Sequence, residues 1–533
     1  MKKFFILPLI AAFLFFGFTK ENDRPKLVVF IVCDQATPEI LKKYDHLFTG
    51  GFRWLIDHGI QFDQTYHEHG NTVTGPGHFA LSSGLYPGNG GMIGNRWFDR
   101  NIGRSWYCVE DTSSIELSDS STGRSYRYIN NTTLGDWLKT SIPNSKVVSI
   151  SGKDRSAVLL GGKNPEISLW YDKNGGWTSS TYYTEKLPEW VSAFNKEIDV
   201  ASYLDSTWDL FASEDIYLSN TRKDNFYGES DWSMKSGYSP TFPIKISELG
   251  LDNLNSIYHT TPYGDNTLLK LGMKAVVEYD MGIDNESDIL FLGLSAADGV
   301  GHSFGPDSHE QLDNFIRLDK NLGQFISALE KRIGKDEILY VFTSDHGVLG
   351  LPEYLKSKGI DAGRIPKPTR DALFTLALET IDKEVGPNKV NFYGNSFYFN
   401  TNMGYFEKRK ATKILKSILI KIPGIESISS KSELLKGGNS NIDIRLKNMV
   451  HSKKSPDIYL IPKKYWTWSY PSGTSHGSPY DYDSHIPFII ANGRREGSIS
   501  TQKVKSVDIA PTIAKSLNIS FPSNLDGEPI LFK

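Results

Sequence analysis

Hydrophobic positions along this chain fall into two textures. Short runs that are apolar almost throughout recur at residues 26–33 (KLVVFIVC), 146–150 (KVVSI), 288–294 (DILFLGL), 337–342 (EILYVF) and 486–491 (IPFIIA). A run with no polar alternation fits a strand buried on both faces, as in a parallel sheet covered by helices. Between them lie stretches with helical spacing, at 38–44, 52–58, 133–140, 268–279, 311–333 and 507–517. Strands alternating with helices predict an α/β fold: a mostly parallel central sheet flanked by helices. Residues 167–171 and 177–182 flank Asn174-Gly175-Gly176, a hairpin signal. The alternation is interrupted twice. Residues 187–265 are rich in Trp, Tyr, Ser and Asp with weak periodicity, and read as an insertion over the sheet edge or the active site. Residues 387–462 carry their own pattern, with a strand pair at 391–400, a helix at 408–422 and a strand at 457–461, and read as a second insertion. The expectation for residues 21–533 is one domain with these two insertions.

The N-terminus has a different character. Lys2 and Lys3 precede an apolar run at 4–18, followed by Lys20-Glu21-Asn22-Asp23. This predicts a secretory signal peptide over residues 1–20, too short for a membrane span. No A-x-A cleavage site follows, so an uncleaved anchor stays open; no Cys lies near, which excludes a lipoprotein anchor. No other stretch is apolar enough to cross a bilayer, so no stable membrane insertion is expected once the leader is removed. A net charge of −3 argues against a general nucleic-acid binder. With only Cys33 and Cys108, a disulfide scaffold and a thiolate zinc site are both excluded, while one bridge or two free thiols remain open.

Charge and imidazole collect where the apolar runs end. Asp34, Lys153 and Arg155, Asp298, and Asp345-His346 each follow a predicted strand. The carboxyl edge of an open α/β sheet is where ligands bind. Asp298 and His302 are four apart, Asp345 and His346 are adjacent, and His476 adds a further imidazole. Three Asp and three His, without a thiolate, suit two divalent ions of the zinc type. Two such ions about 4 Å apart can clamp both oxygens of an in-line phosphoryl displacement. A nucleophile is offered at residues 71–78, where Thr74 stands before Gly75-Pro76-Gly77 at a predicted helix start. The positive helix end welcomes an anion there, although a Thr in this place also looks like an ordinary helix cap. Thr72, the Tyr66-His67-Glu68-His69 stretch, His78 and His485 compete for these roles with weaker spacing.

In this order, Asp34, Thr74-Gly75-Pro76-Gly77-His78, Asp298-x-x-x-His302, Asp345-His346-Gly347 and His476-Gly477 resemble the alkaline phosphatase superfamily, in its phosphodiesterase/nucleotide pyrophosphatase branch. The resemblance runs from about residue 26 to the C-terminus and includes residues 507–512 (VDIAPT). It implies a di-zinc site, with one ion on Asp298, His302 and His476 and the other on Asp34, Asp345 and His346, beside Thr74. Asn95 and Lys153-x-Arg155 look like those of the PafA-type alkaline phosphatases, secreted bacterial monoesterases with a Thr nucleophile. The physics agrees, since a monoester carries a negative oxygen that a diester lacks. Two cations at i, i+2 after a strand can point the same way to meet it. No set of residues for a third, magnesium site is present, and no C/S-x-P-x-R sulfatase motif. The expectation is therefore a periplasmic or secreted, zinc-dependent phosphate monoesterase. It would act as a monomer, through a phosphothreonine, on a broad range of small-molecule phosphate monoesters and not on nucleic acid. The alternative is a phosphodiesterase or nucleotide pyrophosphatase using the same two-zinc site.

Overall fold

The computed structural model describes residues 24–230, 241–468 and 471–532; the leader expected at 1–20 lies outside them. The central sheet has nine strands: β1 (Leu27–Cys33), β2 (Gly59–Tyr66), β3 (Val147–Ser151), β4 (Ile167–Asp172), β5 (Gly176–Thr178), β6 (Asp288–Leu294), β7 (Ile338–Thr343), β8 (Phe488–Ala491) and β9 (Ser498–Lys505). Their order across the sheet is β9-β2-β8-β7-β1-β6-β3-β4-β5.

The all-apolar runs have a direct cause. Alternate residues of β1 enter different cores: Leu27, Val29 and Ile31 face one, Val28, Phe30 and Val32 the other. With both faces covered, no position of β1 can be polar, and all seven of its residues are buried. Each such aliphatic side chain contributes about 1.5–3 kcal/mol of burial free energy. The long helix His309–Ile333 covers the first face through Leu312, Phe315, Leu322 and Phe325. The helix Ile509–Ser516 covers the second through Ile509, Ile513 and Ala514.

The sheet is mostly parallel, as patterned. β1 pairs in parallel with β6 and β7, and the pairs β6–β3, β3–β4 and β2–β9 are parallel as well. The expected hairpin forms between β4 and β5, although its second strand stops at Thr178. β8 runs antiparallel to both β7 and β2. That reversal matters for the site: β8 enters the sheet at the edge where β1, β6 and β7 leave it, so the loop before β8 arrives at the carboxyl edge of its neighbours.

Two strands were not visible as apolar runs. β2 buries only part of each turn of its pleat, and β9 keeps most of its residues in solvent. The helix expected at 268–279 begins at Pro262, with the Thr261 side chain accepting from Gly264 N. Residues 367–462 build a separate four-stranded sheet with its own core around Phe374, Phe397, Leu415 and Ile458. Cys33 and Cys108 are both free and buried, which closes the bridged alternative.

Candidate active site

Asp34 and Gln35 follow β1 directly, and Gln35 turns the chain with a φ of 70°. β6 leads into the helix Ala296–Phe304, which carries Asp298 and His302 one turn apart, with Nε2 3.2 Å from Asp298 Oδ1. His476 comes from the loop before β8, its Nε2 3.5 Å from the same oxygen. After β7 come Asp345 and His346; His346 Nε2 lies 3.3 Å from Asp34 Oδ1 and 3.4 Å from Asp345 Oδ2. The ligand atoms of Asp298, His302 and His476 fall within 4.8 Å of one another, and so do those of Asp34, Asp345 and His346. The two clusters abut. The His346 and His476 rings stack at 3.6 Å, and Lys153 Nζ bridges Asp34 Oδ2 at 2.5 Å and Asp298 Oδ2 at 2.6 Å.

The chemistry of both clusters fits divalent cations. His302 Nδ1 bonds Thr474 O at 2.8 Å, His346 Nδ1 bonds Gly347 O at 3.0 Å and His476 Nδ1 bonds Thr72 O at 2.8 Å. A carbonyl only accepts, so each Nδ1 holds the proton and each Nε2 keeps its lone pair for the carboxylate side. Asp34 Oδ1, Asp345 Oδ2 and His346 Nε2 are buried without a hydrogen-bond partner among the described residues. Burying unpaired carboxylate oxygens is costly, and a cation between them removes the cost. Burial, with Asp298 and Asp345 close by, pushes the Asp34 carboxyl up to about 7. Burial alone would raise Asp298 too, but Lys153 and His302 outweigh it and hold that carboxyl well below its usual range. Burial drives His346 well below the ordinary imidazole value, so it stays neutral, as a metal ligand must be.

Thr74 is the first residue of the helix Thr74–Ser83, and Val73 holds the cap position. The helix-cap reading of Thr74 is therefore wrong, for a local reason. Gly75 N donates to Asn95 Oδ1 at 2.7 Å, Pro76 has no N–H, and Gly77 N donates to Val73 O at 3.0 Å. The first turn needs no hydroxyl, and Thr74 Oγ1 instead accepts from Arg155 Nη2 at 3.2 Å. The glycines make this packing feasible: a Cβ on Gly77 would stand 2.1 Å from Asp345 O, and one on Gly75 2.9 Å from Asn95 Oδ1.

Lys153 and Arg155 also reach the site by a route other than the expected one. β3 stops at Ser151, Lys153 occupies the position just before the helix Asp154–Gly161 without capping it through its side chain, and Arg155 lies in the first turn. A strand-to-helix turn, not strand alternation, aims both cations inward. Between them Asp154 is held by the Tyr107 hydroxyl at 2.5 Å and Arg124 Nε at 2.7 Å.

Residues 28–484 match the family model described as type I phosphodiesterase / nucleotide pyrophosphatase. The chain belongs to this family. Among similar proteins is alkaline phosphatase PhoV of Synechococcus elongatus, 32% identical over 96% of this chain and 94% of that protein. Another is alkaline phosphatase PafA of Elizabethkingia meningoseptica, 30% identical over 96% of this chain and 95% of that one. A crystal structure of a PafA variant, with a Thr replaced by Ser and an Asn, a Lys and an Arg replaced by Ala, shares the fold at a TM-score of 0.88 and 30% identity. It covers 95% of this chain and 98% of its own.

In this phosphodiesterase/pyrophosphatase-family chain, the competing residues lie outside both clusters. His485 bonds Glu39 Oε1 at 2.8 Å and Asp63 O at 2.9 Å. His67 Nε2 bonds Ser344 O and His69 Nε2 bonds His67 Nδ1, each at 3.2 Å; they form a wall behind Asp345, and burial pushes His67 down to about 4. Thr72 donates its hydroxyl to Ser478 O at 2.8 Å. His78 bonds Thr74 O at 2.9 Å and lies 3.2 Å from Asp345 Oδ2. One contributor was missed. Gln35 Nε2 donates to Asp298 Oδ1 at 2.7 Å and Gln35 N to Asp345 Oδ1 at 3.3 Å, which ties the two clusters together. No spacing in the sequence singles out Gln35; in the fold Gly301 makes room for it, since a Cβ there would stand 1.7 Å from Gln35 Oε1.

Proposed function

We propose that the protein is a metal-dependent phosphate monoesterase, an alkaline phosphatase that works through a phosphothreonine on Thr74. The observation that carries this reading is the meeting of Thr74, Arg155 and two carboxylate–imidazole clusters at one sheet edge. The clusters suit two zinc ions, one for Asp298, His302 and His476 and one for Asp34, Asp345 and His346. When bound, such ions supply positive charge to the nucleophile and to the departing oxygen.

The chain's own groups supply the rest. Thr74 Oγ1 attacks phosphorus in line; the Oγ1–P bond forms as the ester P–O bond breaks, the alkoxide leaves with that electron pair, and the proton given up by the Thr74 hydroxyl completes the alcohol. The guanidinium at 3.2 Å favours the charged form of Thr74 and meets non-bridging phosphoryl oxygens in fork geometry. Asn95 has its Oδ1 engaged by Gly75 N, which leaves its amide N–H groups to donate to a phosphoryl oxygen. Lys153 has three protons on Nζ, with Asp34 and Asp298 accepting two, so one remains for the substrate. Water then attacks phosphorus from the side opposite Thr74, the Oγ1–P bond breaks with its electron pair on Oγ1, a proton from the water restores the hydroxyl, and inorganic phosphate is released.

Two cations beside the nucleophile favour the dianion of a monoester over a diester. In the PafA variant, the replaced Thr and Asn have the same separation along the chain as Thr74 and Asn95, and the replaced Lys and Arg the same spacing as Lys153 and Arg155. This supports the same roles here. The apolar run at 4–18 behind Lys2 and Lys3 supports export to the periplasm or the medium. Among the described residues, no helix is long and apolar enough to cross a membrane.

The test compares p-nitrophenyl phosphate with bis-p-nitrophenyl phosphate on wild type and on Lys153→Ala/Arg155→Ala, with zinc quantified on the same samples. The reading expects a much larger loss on the monoester. Equal losses on both substrates would remove the argument for a monoesterase.

A further inference from the structure

Away from Thr74, the Gly-rich loop at 88–97 and the separate sheet region of residues 399–457 enclose a cavity of about 710 Å³. Neither Thr74 nor any of the six carboxylate and imidazole residues of the two clusters lines it. Its lining holds five lysine and arginine side chains against two aspartates, Asp99 and Asp457, in a chain whose net charge is −3. Asp457 is already paired with Arg100, Nη2 to Oδ2 at 2.5 Å. Lys431 Nζ donates to Ser452 O at 2.6 Å and Lys454 Nζ to Gly91 O at 2.9 Å, and Lys454 Nζ also lies 4.8 Å from the centre of the Trp97 ring. Burial pushes Lys431 and Lys454 below the ordinary lysine value; Asp457 opposes this at Lys431 while Arg100 and Lys408 add to it, and Asp99 opposes it at Lys454. The cavity therefore concentrates positive charge that the protein does not itself neutralise.

His451 adds a neutral donor. Its Nδ1 accepts the backbone N–H groups of Lys453 at 3.1 Å and Lys454 at 3.0 Å. In the neutral ring the proton is then on Nε2, which faces Gly91 at the cavity wall. A single phosphate would fill little of this volume, given that a water occupies about 30 Å³ in the liquid. The four lysines Lys408, Lys431, Lys453 and Lys454 all come from the 399–457 side, and several cations along one wall call for an occupant with more than one charged group.

We propose that this cavity is a second anion site, separate from the catalytic centre, that takes a compact small molecule bearing two or more phosphoryl groups. Lys408, Lys431, Lys454 and the His451 Nε2–H are its contacts. It shares a wall with the catalytic loop: Cys108 lines the cavity, and its Sγ lies 3.5 Å from where a Gly75 Cβ would stand.

The probe is myo-inositol hexasulfate, a polyanion with no phosphoryl bond to hydrolyse. It is titrated calorimetrically into the metal-loaded protein at about 0.15 M salt, where long-range attraction is largely screened. The expected result is one-to-one binding to wild type that is unchanged in Thr74→Ala/Arg155→Ala and about tenfold weaker or worse in Lys431→Gln/Lys454→Gln. Because Lys454 also holds Gly91 O, Lys408→Gln/Lys431→Gln provides a second variant that leaves the loop contact intact. It is expected to weaken binding too, with monoester hydrolysis close to wild type. Three results overturn the proposal: no binding to wild type, binding that survives both lysine pairs, or binding lost in Thr74→Ala/Arg155→Ala.

Discussion

At the scale of single residues, the contact between Arg155 Nη2 and Thr74 Oγ1 joins the proposed phosphate clamp to the proposed nucleophile. Arg155→Ala should lower kcat/KM on a monoester by about 10²–10³-fold, the usual cost of losing one strong donor to transition-state charge. Arg155→Lys should recover little of this, because an ammonium cannot reproduce the fork. The covalent step has its own readout. Wild type quenched in acid during turnover should carry phosphate on the peptide containing Thr74, and Thr74→Ala should carry none; label on another residue would remove Thr74 from the mechanism. Gln35 acts through its neighbours, since its side-chain amide holds Asp298 and its backbone N–H holds Asp345. Gln35→Met should weaken metal binding about 10–100-fold, as loss of a ligand's supporting hydrogen bond commonly does. Competition against a chelator of known affinity measures this, and an unchanged affinity would reduce Gln35 to packing.

At the scale of elements, the helix Thr74–Ser83 is placed by what it lacks. Without side chains at 75 and 77, its first turn can touch both the Asn95 amide and the backbone of Asp345. Gly77→Ala would press a methyl against Asp345 O, with no flexible group to give way. The expected cost is about 3 kcal/mol or more, and the strain would displace a proposed ligand. Thermal melting and metal content should therefore fall together; a variant that melts and binds metal like wild type would show that the helix can shift freely. Strand direction carries equal weight. β8 delivers His476 from its entrance while β1, β6 and β7 deliver Asp34, Asp298 and Asp345 from their exits, and only antiparallel pairing puts these at one edge.

At the scale of the whole molecule, stability should depend on bound metal and on pH in separable ways. A chelator should lower the melting temperature, since a ligand held at a thousandfold its dissociation constant stabilises by about 4 kcal/mol; an unchanged melt would contradict the cation reading of the two clusters. Outside the two clusters, Glu310 is fully buried, with neither carboxylate oxygen hydrogen-bonded among the described residues. Burial, then Glu229 and Asp224, raise its proton affinity well above that of a free Glu. Glu229 itself is raised from 4.5 to about 7, again by burial. The folded state thus binds more protons than the unfolded one in this range. The stability these groups contribute is complete below about pH 4.5 and is lost as pH rises, for Glu229 through about 7. Glu310→Gln should melt above wild type near pH 8, with the gap closing toward about pH 5. A gap independent of pH would mean that the carboxyl is not the cause.

The sequence by itself determined the α/β class, the five apolar strands, the Asp, His, Lys and Arg residues waiting at their ends, and Thr74 at a helix start. These were legible because a strand buried on both faces must be apolar at every position, and because chemistry in this fold class collects at the carboxyl edge. The half-exposed β2 and β9 were not, since an element that buries one face or less leaves no continuous run. Tertiary structure alone decided the direction of β8, the relief of Thr74 from capping by Asn95, and the seat of Lys153 between Asp34 and Asp298. It alone also brought Gln35 onto Asp298. Each of these depends on groups from separate elements, such as Gln35 and Asp298, 263 positions apart. Periodicity reports how many faces of an element are covered, but not which distant residue covers them.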